Sequence, residues 1–115
     1  MERRLHSMLI LFDHSTPAPL STYLSGHTVT KAKDRGWDKL TNGDLLVEAE
    51  RAGYDVLLTA DKNIRYQQNL VGRQLALVVL STPQWPRVRL YLDRVVAAVN
   101  AATPGSYTEV DIPFQ

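Results

Sequence analysis

Residues 75–80 read LALVVL, an unbroken apolar run. A strand with one face in water alternates apolar and polar residues. A continuous run of strand length belongs instead to a strand covered on both faces, as in a parallel sheet. Residues 8–13 (MLILFD) and 55–60 (DVLLTA) repeat the pattern, each followed or closed by an aspartate. Residues 27–31 (HTVTK) form a shorter run rich in β-branched side chains. Residues 107–112 (YTEVDI) alternate in character and predict an edge strand with one exposed face.

Helical patterns separate these runs. Ser15 and Thr16 are cap candidates ahead of Pro17, which suits the first position of a short helix ending near Ser25 and Gly26. Residues 32–40 are a connector with room for one helical turn, weakened by Gly36. Asn42 is the predicted N-cap of a helix with Asp44 in its first turn, an inward stripe of Leu45, Leu46, Ala49 and Ala52, and a stop at Gly53. Residues 64–70 predict a helix of about two turns. Pro83 and Pro86 punctuate the start of the longest helix, whose core face is Val88, Tyr91, Leu92, Val95, Val96 and Val99. This alternation predicts an α/β domain: a three-layer, doubly wound, mostly parallel sheet of about five strands with right-handed crossovers. Leu9, Leu11, Val56, Leu58, Val78, Leu92, Val95 and Val99 are the expected core.

Composition narrows the function. The chain of 115 residues is the size of one domain, and residues 1–7 are expected to be a flexible extension. Cysteine is absent, which excludes disulfides, thiolate zinc sites and thiol catalysis, and favours a cytoplasmic address. A net charge of +1 gives no global basic field, so any nucleic-acid contact has to come from a local patch. The apolar run at residues 8–12 is too short for a signal-peptide core or a membrane span, and no membrane partner is expected. His6, His14 and His27 show no metal-ligand spacing.

In open parallel sheets the ligand crevice lies outside the C-terminal ends of the strands. Asp13-His14 follows the first strand, Asp61-Lys62-Asn63 the third and Ser81-Thr82 the fourth. The helix opening at Asn42-Gly43-Asp44 starts on the same side. The spacing therefore predicts that Asp13, Asp44 and Asp61 converge on one crevice. Carboxylates brought together repel unless a cation sits between them, and hard oxygen ligands favour Mg²⁺ or Mn²⁺. Such a metal lowers the pKa of bound water and neutralises a phosphoryl oxygen. Residues 63–69 (NIRYQQN) carry amides, an arginine and a tyrosine where a solvated helix draws on Glu and Lys. Arg65 and Gln68 there suit a phosphate backbone.

Every one of these residues also has a purely structural reading. Asp13 caps the turn after its strand, Asp44 complements a helix dipole, and Asp61 and Asn63 open the next helix. Ser81 and Thr82 cap the last helix. Residues 63–69 tie their helix to the sheet by a polar network. Trp37 and Trp85 are read as packing residues.

The segments LFDHSTP (11–17), TNGDLL (41–46), LLTADKN (57–63) and RYQQNL (65–70) together resemble a bacterial family of small PIN-like proteins related to the VapC-type toxins. The resemblance runs over residues 8–112 and implies that 8–115 form a single PIN-like domain. PIN-domain proteins are typically Mg²⁺- or Mn²⁺-dependent ribonucleases, and many are toxins held by a cognate antitoxin. The resemblance implies a site in which Asp13 and Asp61 hold the metal directly. Asp44 holds it through water or orients the attacking water, and Asn63 is a neutral ligand or a donor to phosphate. Arg65 and Gln68, with His14 and Ser81, are the expected contacts to RNA. The chain departs from the family pattern in reading Asp13-His14-Ser15 where relatives read Asp-Glu-Asn, and Asp61-Lys62-Asn63-Ile64 where they read Asp-x-Asp-Phe. Asn63 removes one charge, and Lys62 adds a cation expected to help neutralise Asp13 and Asp61.

Two alternatives follow. One is a catalytically eroded PIN-like domain that binds protein or nucleic acid. The other is a phosphoacceptor receiver domain, which also places Asp after its first and third strands. That fold needs a lysine at the end of its fifth strand, and the lysines here are Lys31, Lys33, Lys39 and Lys62.

Overall fold

The computed structural model describes residues 7–66 and 72–113. Most of the expected extension 1–7 and the second half of the helix expected at 64–70 lie outside the described residues. Five strands form one sheet: β1 (Leu9–Phe12), β2 (Thr28–Lys31), β3 (Val56–Thr59), β4 (Ala76–Leu80) and β5 (Tyr107–Val110). The order is β2-β1-β3-β4-β5 and every pairing is parallel, the edge strand β5 included. The helices are α1 (Asn42–Arg51), α2 (Trp85–Val88) and α3 (Leu92–Asn100), with 3-10 helices at Ala18–Leu24, Ala32–Arg35, Lys62–Tyr66 and Arg89–Tyr91. No helix among the described residues is long and apolar enough to cross a membrane.

Each face of the sheet carries its own apolar cluster, and the strand pleat sorts the side chains between them. Ile10 and Phe12 point to one side, with Val56, Leu58, Val78 and Leu80. They meet Leu20 and Leu24 of the first 3-10 helix, Val88 of α2, and Val95 and Val99 of α3. Leu11, Leu57, Leu77 and Val79 point to the other, where Leu45, Leu46 and Ala49 of α1 cover them together with Ala32 and Ile64. Every residue of β3 and β4 is buried, which accounts for their continuous apolar runs. Trp37 packs edge-on to Tyr54 at 6.2 Å, and Trp85 lies 6.0 Å from Tyr23. Both tryptophans are thus committed to packing.

Several local expectations change. Leu9 is 41% exposed. It opens β1 at the N-terminal rim of the sheet, where its backbone N–H is held by the Asp55 carboxylate at 2.8 Å. Leu92 is only partly buried at the start of α3. The first connector is a 3-10 helix whose N-cap is Pro17, without a side-chain cap. The hydroxyls of Ser15 and Thr16 are engaged with Asp13 instead. The N-cap of α1 is Thr41, whose Oγ1 accepts from the Asp44 N–H at 3.2 Å, so Asn42 is free for another task. Ala52, expected in the inward stripe, is exposed at the C-cap. Gly36 ends the 3-10 helix at Ala32–Arg35 in the left-handed region, φ 75°, where a side chain would be strained. The long C-terminal helix is broken at Tyr91, whose φ of −131° and ψ of 37° leave the helical region between α2 and α3.

The N-terminal rim is tied by polar contacts. Glu50 at the end of α1 accepts from the backbone N–H groups of Gln74 and Leu75, both at 3.0 Å, and so fixes the entry to β4. His27 accepts from the Met8 N–H at 3.0 Å and its other ring nitrogen lies 2.9 Å from Asn100 Oδ1, which joins β1, β2 and α3.

Leu77 is fully buried in the second strand from the β5 edge. Leu77→Ala is expected to lower the unfolding free energy by about 2–5 kcal/mol. Leu9→Ala at the exposed rim is expected to cost no more than about 1 kcal/mol. Urea denaturation of the two variants measures the difference, and equal losses would contradict the burial pattern.

Candidate functional site

Strand order places the site. The chain steps from β1 outward to β2 and then crosses to β3 on the other side, so the direction of winding reverses between β1 and β3. In parallel sheets a ligand crevice lies outside the strand ends at such a switch point. Asp13 follows β1 and Asp61 follows β3 by two residues, so both stand at this point.

Asp13 is 5% exposed. A buried carboxylate has to be hydrogen-bonded to remain charged, and the residues around Asp13 supply the donors. Its Oδ1 accepts from the Ser15 N–H at 3.1 Å and Ser15 Oγ at 2.7 Å, and the Thr16 hydroxyl is shared between Oδ1 and the Leu58 carbonyl. Its Oδ2 accepts from Thr59 Oγ1 at the end of β3. The contacts from Ser15 form a turn closed by the aspartate side chain, so the structural reading of Asp13 is realised. Ser15 Oγ also accepts from the Ala60 N–H at 2.9 Å. The loop after β1 is therefore fastened to the end of β3 from both sides.

Asp61 is half-buried and differently held. Its Oδ1 accepts from the Asn63 N–H at 3.0 Å, and its backbone carbonyl from the Ile64 N–H at 3.2 Å, which starts the 3-10 helix at Lys62–Tyr66. Its Oδ2 accepts from Asn42 Nδ2 at 3.1 Å. The Asp61 N–H in turn donates to Thr59 Oγ1 at 3.0 Å. One hydroxyl, Thr59, thus accepts from the Asp61 backbone and donates to the Asp13 carboxylate. Asn42 shows that the N-terminus of α1 does sit at the strand ends, as the alternation requires.

The other expected site residues are distributed along the same rim. Asp44 is exposed in the first turn of α1. Asn63 is exposed, its N–H on Asp61. His14 is exposed at the mouth of a cavity of about 540 Å³ beside Asp13. Ser81 lies toward β5, where its Oγ accepts from the Ile112 N–H at 2.9 Å, and Thr82 Oγ1 accepts from the Gln84 N–H ahead of α2. Lys62 lines a second cavity of about 440 Å³ with Ser81, Glu109 and Asp111. Among the described residues Lys62 forms no ion pair with either acid; Asp13 and Asp61 are held by uncharged donors of Ser15, Thr16, Thr59, Asn42 and Asn63. Arg65 falls at the end of the described segment, and Gln68 lies outside the described residues. β5 is followed by Asp111, not by the lysine that a receiver domain needs.

The donor set can be tested against a divalent ion. Mg²⁺ is commonly bound by one or two carboxylates together with waters and a substrate phosphate. Asp61, half-buried with one bond to each oxygen, suits that role, and the hydroxyl donors on Asp13 are able to rotate. Among the described residues no group of three His, Cys, Asp or Glu side chains is arranged to hold an ion. Asn42 and Thr59 were missed as site residues. The readable signal for Asn42 was Thr41, an alternative N-cap one position earlier.

Fold and site together define an all-parallel α/β domain with two aspartates at its switch point. Comparison of the chain with models of known protein families, with curated proteins and with solved structures finds no match.

Thr59→Val keeps the shape and removes the hydroxyl shared by Asp13 and Asp61. It leaves a buried carboxylate one donor short, at an expected cost of about 1–3 kcal/mol in unfolding free energy. Chemical denaturation measures it. A loss below about 0.5 kcal/mol, the range of an unremarkable surface change, would mean that the remaining donors satisfy Asp13 alone.

Proposed function

We propose that this chain is a PIN-like domain, of the three-layer doubly wound kind, that cleaves RNA at the crevice between β1 and β3. The observation that supports this reading is the joining of Asp13 and Asp61 through the single hydroxyl of Thr59 at the switch point. On this reading Mg²⁺ or Mn²⁺ is held by Asp13 and Asp61, with Asp44 and Asn63 as outer partners, and supplies an activated water and polarisation of the phosphoryl oxygen. Asn42 orients the Asp61 carboxylate by holding Oδ2. Thr59 keeps the two acids in register. Arg65, Gln68 and His14 contact the RNA backbone. The family resemblance extends the reading to a cytoplasmic toxin with an antitoxin protein as its partner.

A second reading has an observation of its own. Asp13 accepts from hydroxyls and an amide on both oxygens, an arrangement that a purely structural aspartate also adopts. It favours an eroded domain that binds RNA or protein without cutting.

Incubation of single-stranded RNA with the protein and millimolar Mg²⁺ or Mn²⁺ separates the two. Cleavage is expected, with Asp61→Asn slower by about a hundredfold or more. RNA that is bound but left intact by the wild type would replace the nuclease by the binding module. Calorimetry with Mn²⁺ on the protein alone is expected to show weak binding, strengthened in Asn63→Asp by the added charge. Unchanged affinity in that variant would remove Asn63 from the metal's surroundings.

A further inference from the structure

The cavity at the ends of β1 and β2 has a charge pattern that the acids do not explain. Its rim carries Lys31, the last residue of β2, Lys33 in the following 3-10 helix, and Lys39 in the loop before α1. These are three of the chain's four lysines, in a protein whose net charge is only +1. All three are exposed, and none is in an ion pair among the described residues. The acids on the same lining are Asp38, which is exposed, and Asp13, whose carboxylate is buried and turned to its own donors. His14 stands with them on that lining. A volume of about 540 Å³ is in the range of small-ligand sites, which run to roughly 300–1,000 Å³. Unpaired ammonium groups around a concave surface act as point charges for phosphate.

We propose that this cavity is the subsite for a phosphate group of single-stranded RNA. Lys31, Lys33 and Lys39 hold the phosphate, so the strand enters over β2 and passes Asp13 before reaching Asp61. The inference rests on the reading that the rim acts on RNA, and it adds the direction of approach and the residues that set affinity. The opposite cavity, with Glu109 and Asp111 beside Lys62, offers a mixed field and no comparable attraction.

The test is binding of a fluorescent single-stranded RNA by anisotropy in EDTA, so that cleavage and metal play no part. The triple variant Lys31→Gln, Lys33→Gln, Lys39→Gln is expected to bind at least about tenfold more weakly at low salt. Its slope of log affinity against log salt should be shallower by about 0.7, the value for one phosphate no longer neutralised on a single strand. The three side chains are exposed, so the thermal midpoint should not move. Lys62→Gln should keep the wild-type slope. Displacement of the probe by inorganic pyrophosphate, seen in the wild type and lost in the triple variant, would assign the lysines to phosphate itself. Persistence of the probe against pyrophosphate, with loss in the triple variant, would assign them to a polynucleotide backbone. A triple variant with wild-type affinity and slope would overturn the subsite while leaving RNA as the ligand. A wild type that ignores the RNA would overturn the subsite and the RNA reading together. Binding in EDTA that the triple variant loses, with no cleavage when Mg²⁺ is restored to the wild type, would uphold the subsite and reject the nuclease.

Discussion

A buried charge on Asp13 is the constraint around which the C-terminal rim is organised. Moving a carboxylate out of water without partners is costly, and the penalty disappears only if donors are already in place. The chain places those donors on two strands that are distant in sequence, with Ser15 and Thr16 beside Asp13 and Thr59 at the end of β3. Satisfying Asp13 therefore requires β1 and β3 to be neighbours in register, which is the pairing that creates the switch point. Apolar burial drives the sheet together. The aspartate and its hydroxyls select which strand ends meet.

The same contacts organise the candidate chemistry. Thr59 accepts from the backbone of Asp61 while donating to Asp13, so the half-exposed acid is positioned from the buried one. Asn42 completes the arrangement from α1. The result is asymmetric: Asp13 is buried with donors on both oxygens, and Asp61 is half-buried with one bond to each oxygen. Along the rim, Lys31, Lys33 and Lys39 gather with Asp13 and Asp38 around the cavity on the β2 side, and Lys62 stands with Glu109 and Asp111 on the β5 side.

Legibility in the sequence differed between fold and site for physical reasons. The two-sided burial of β3 and β4 was readable because a strand apolar along its whole length has to be covered on both faces. Leu9 was misread because an apolar run carries no mark of where the covering helices stop. Asn ranks above Thr as a cap, so local preference alone selects Asn42 over Thr41. Tertiary contact made the opposite choice, since Asn42 reaches Asp61 only if Thr41 takes the cap. Lys62 illustrates the same limit. Its neighbour in sequence is Asp61, yet it lines the cavity beside Glu109 and Asp111.

By itself, then, the sequence determined the class of fold, the number of principal strands and the fact that Asp13 and Asp61 sit at strand ends. Those follow from local periodicity and from the rule that parallel sheets present their ends to ligands. Only the tertiary structure decided the strand order, the link through Thr59, the role of Asn42 and the gathering of Lys31, Lys33 and Lys39 around one cavity. Each of these joins residues from different elements, and their proximity is created by long-range packing, which leaves no periodic trace in the chain.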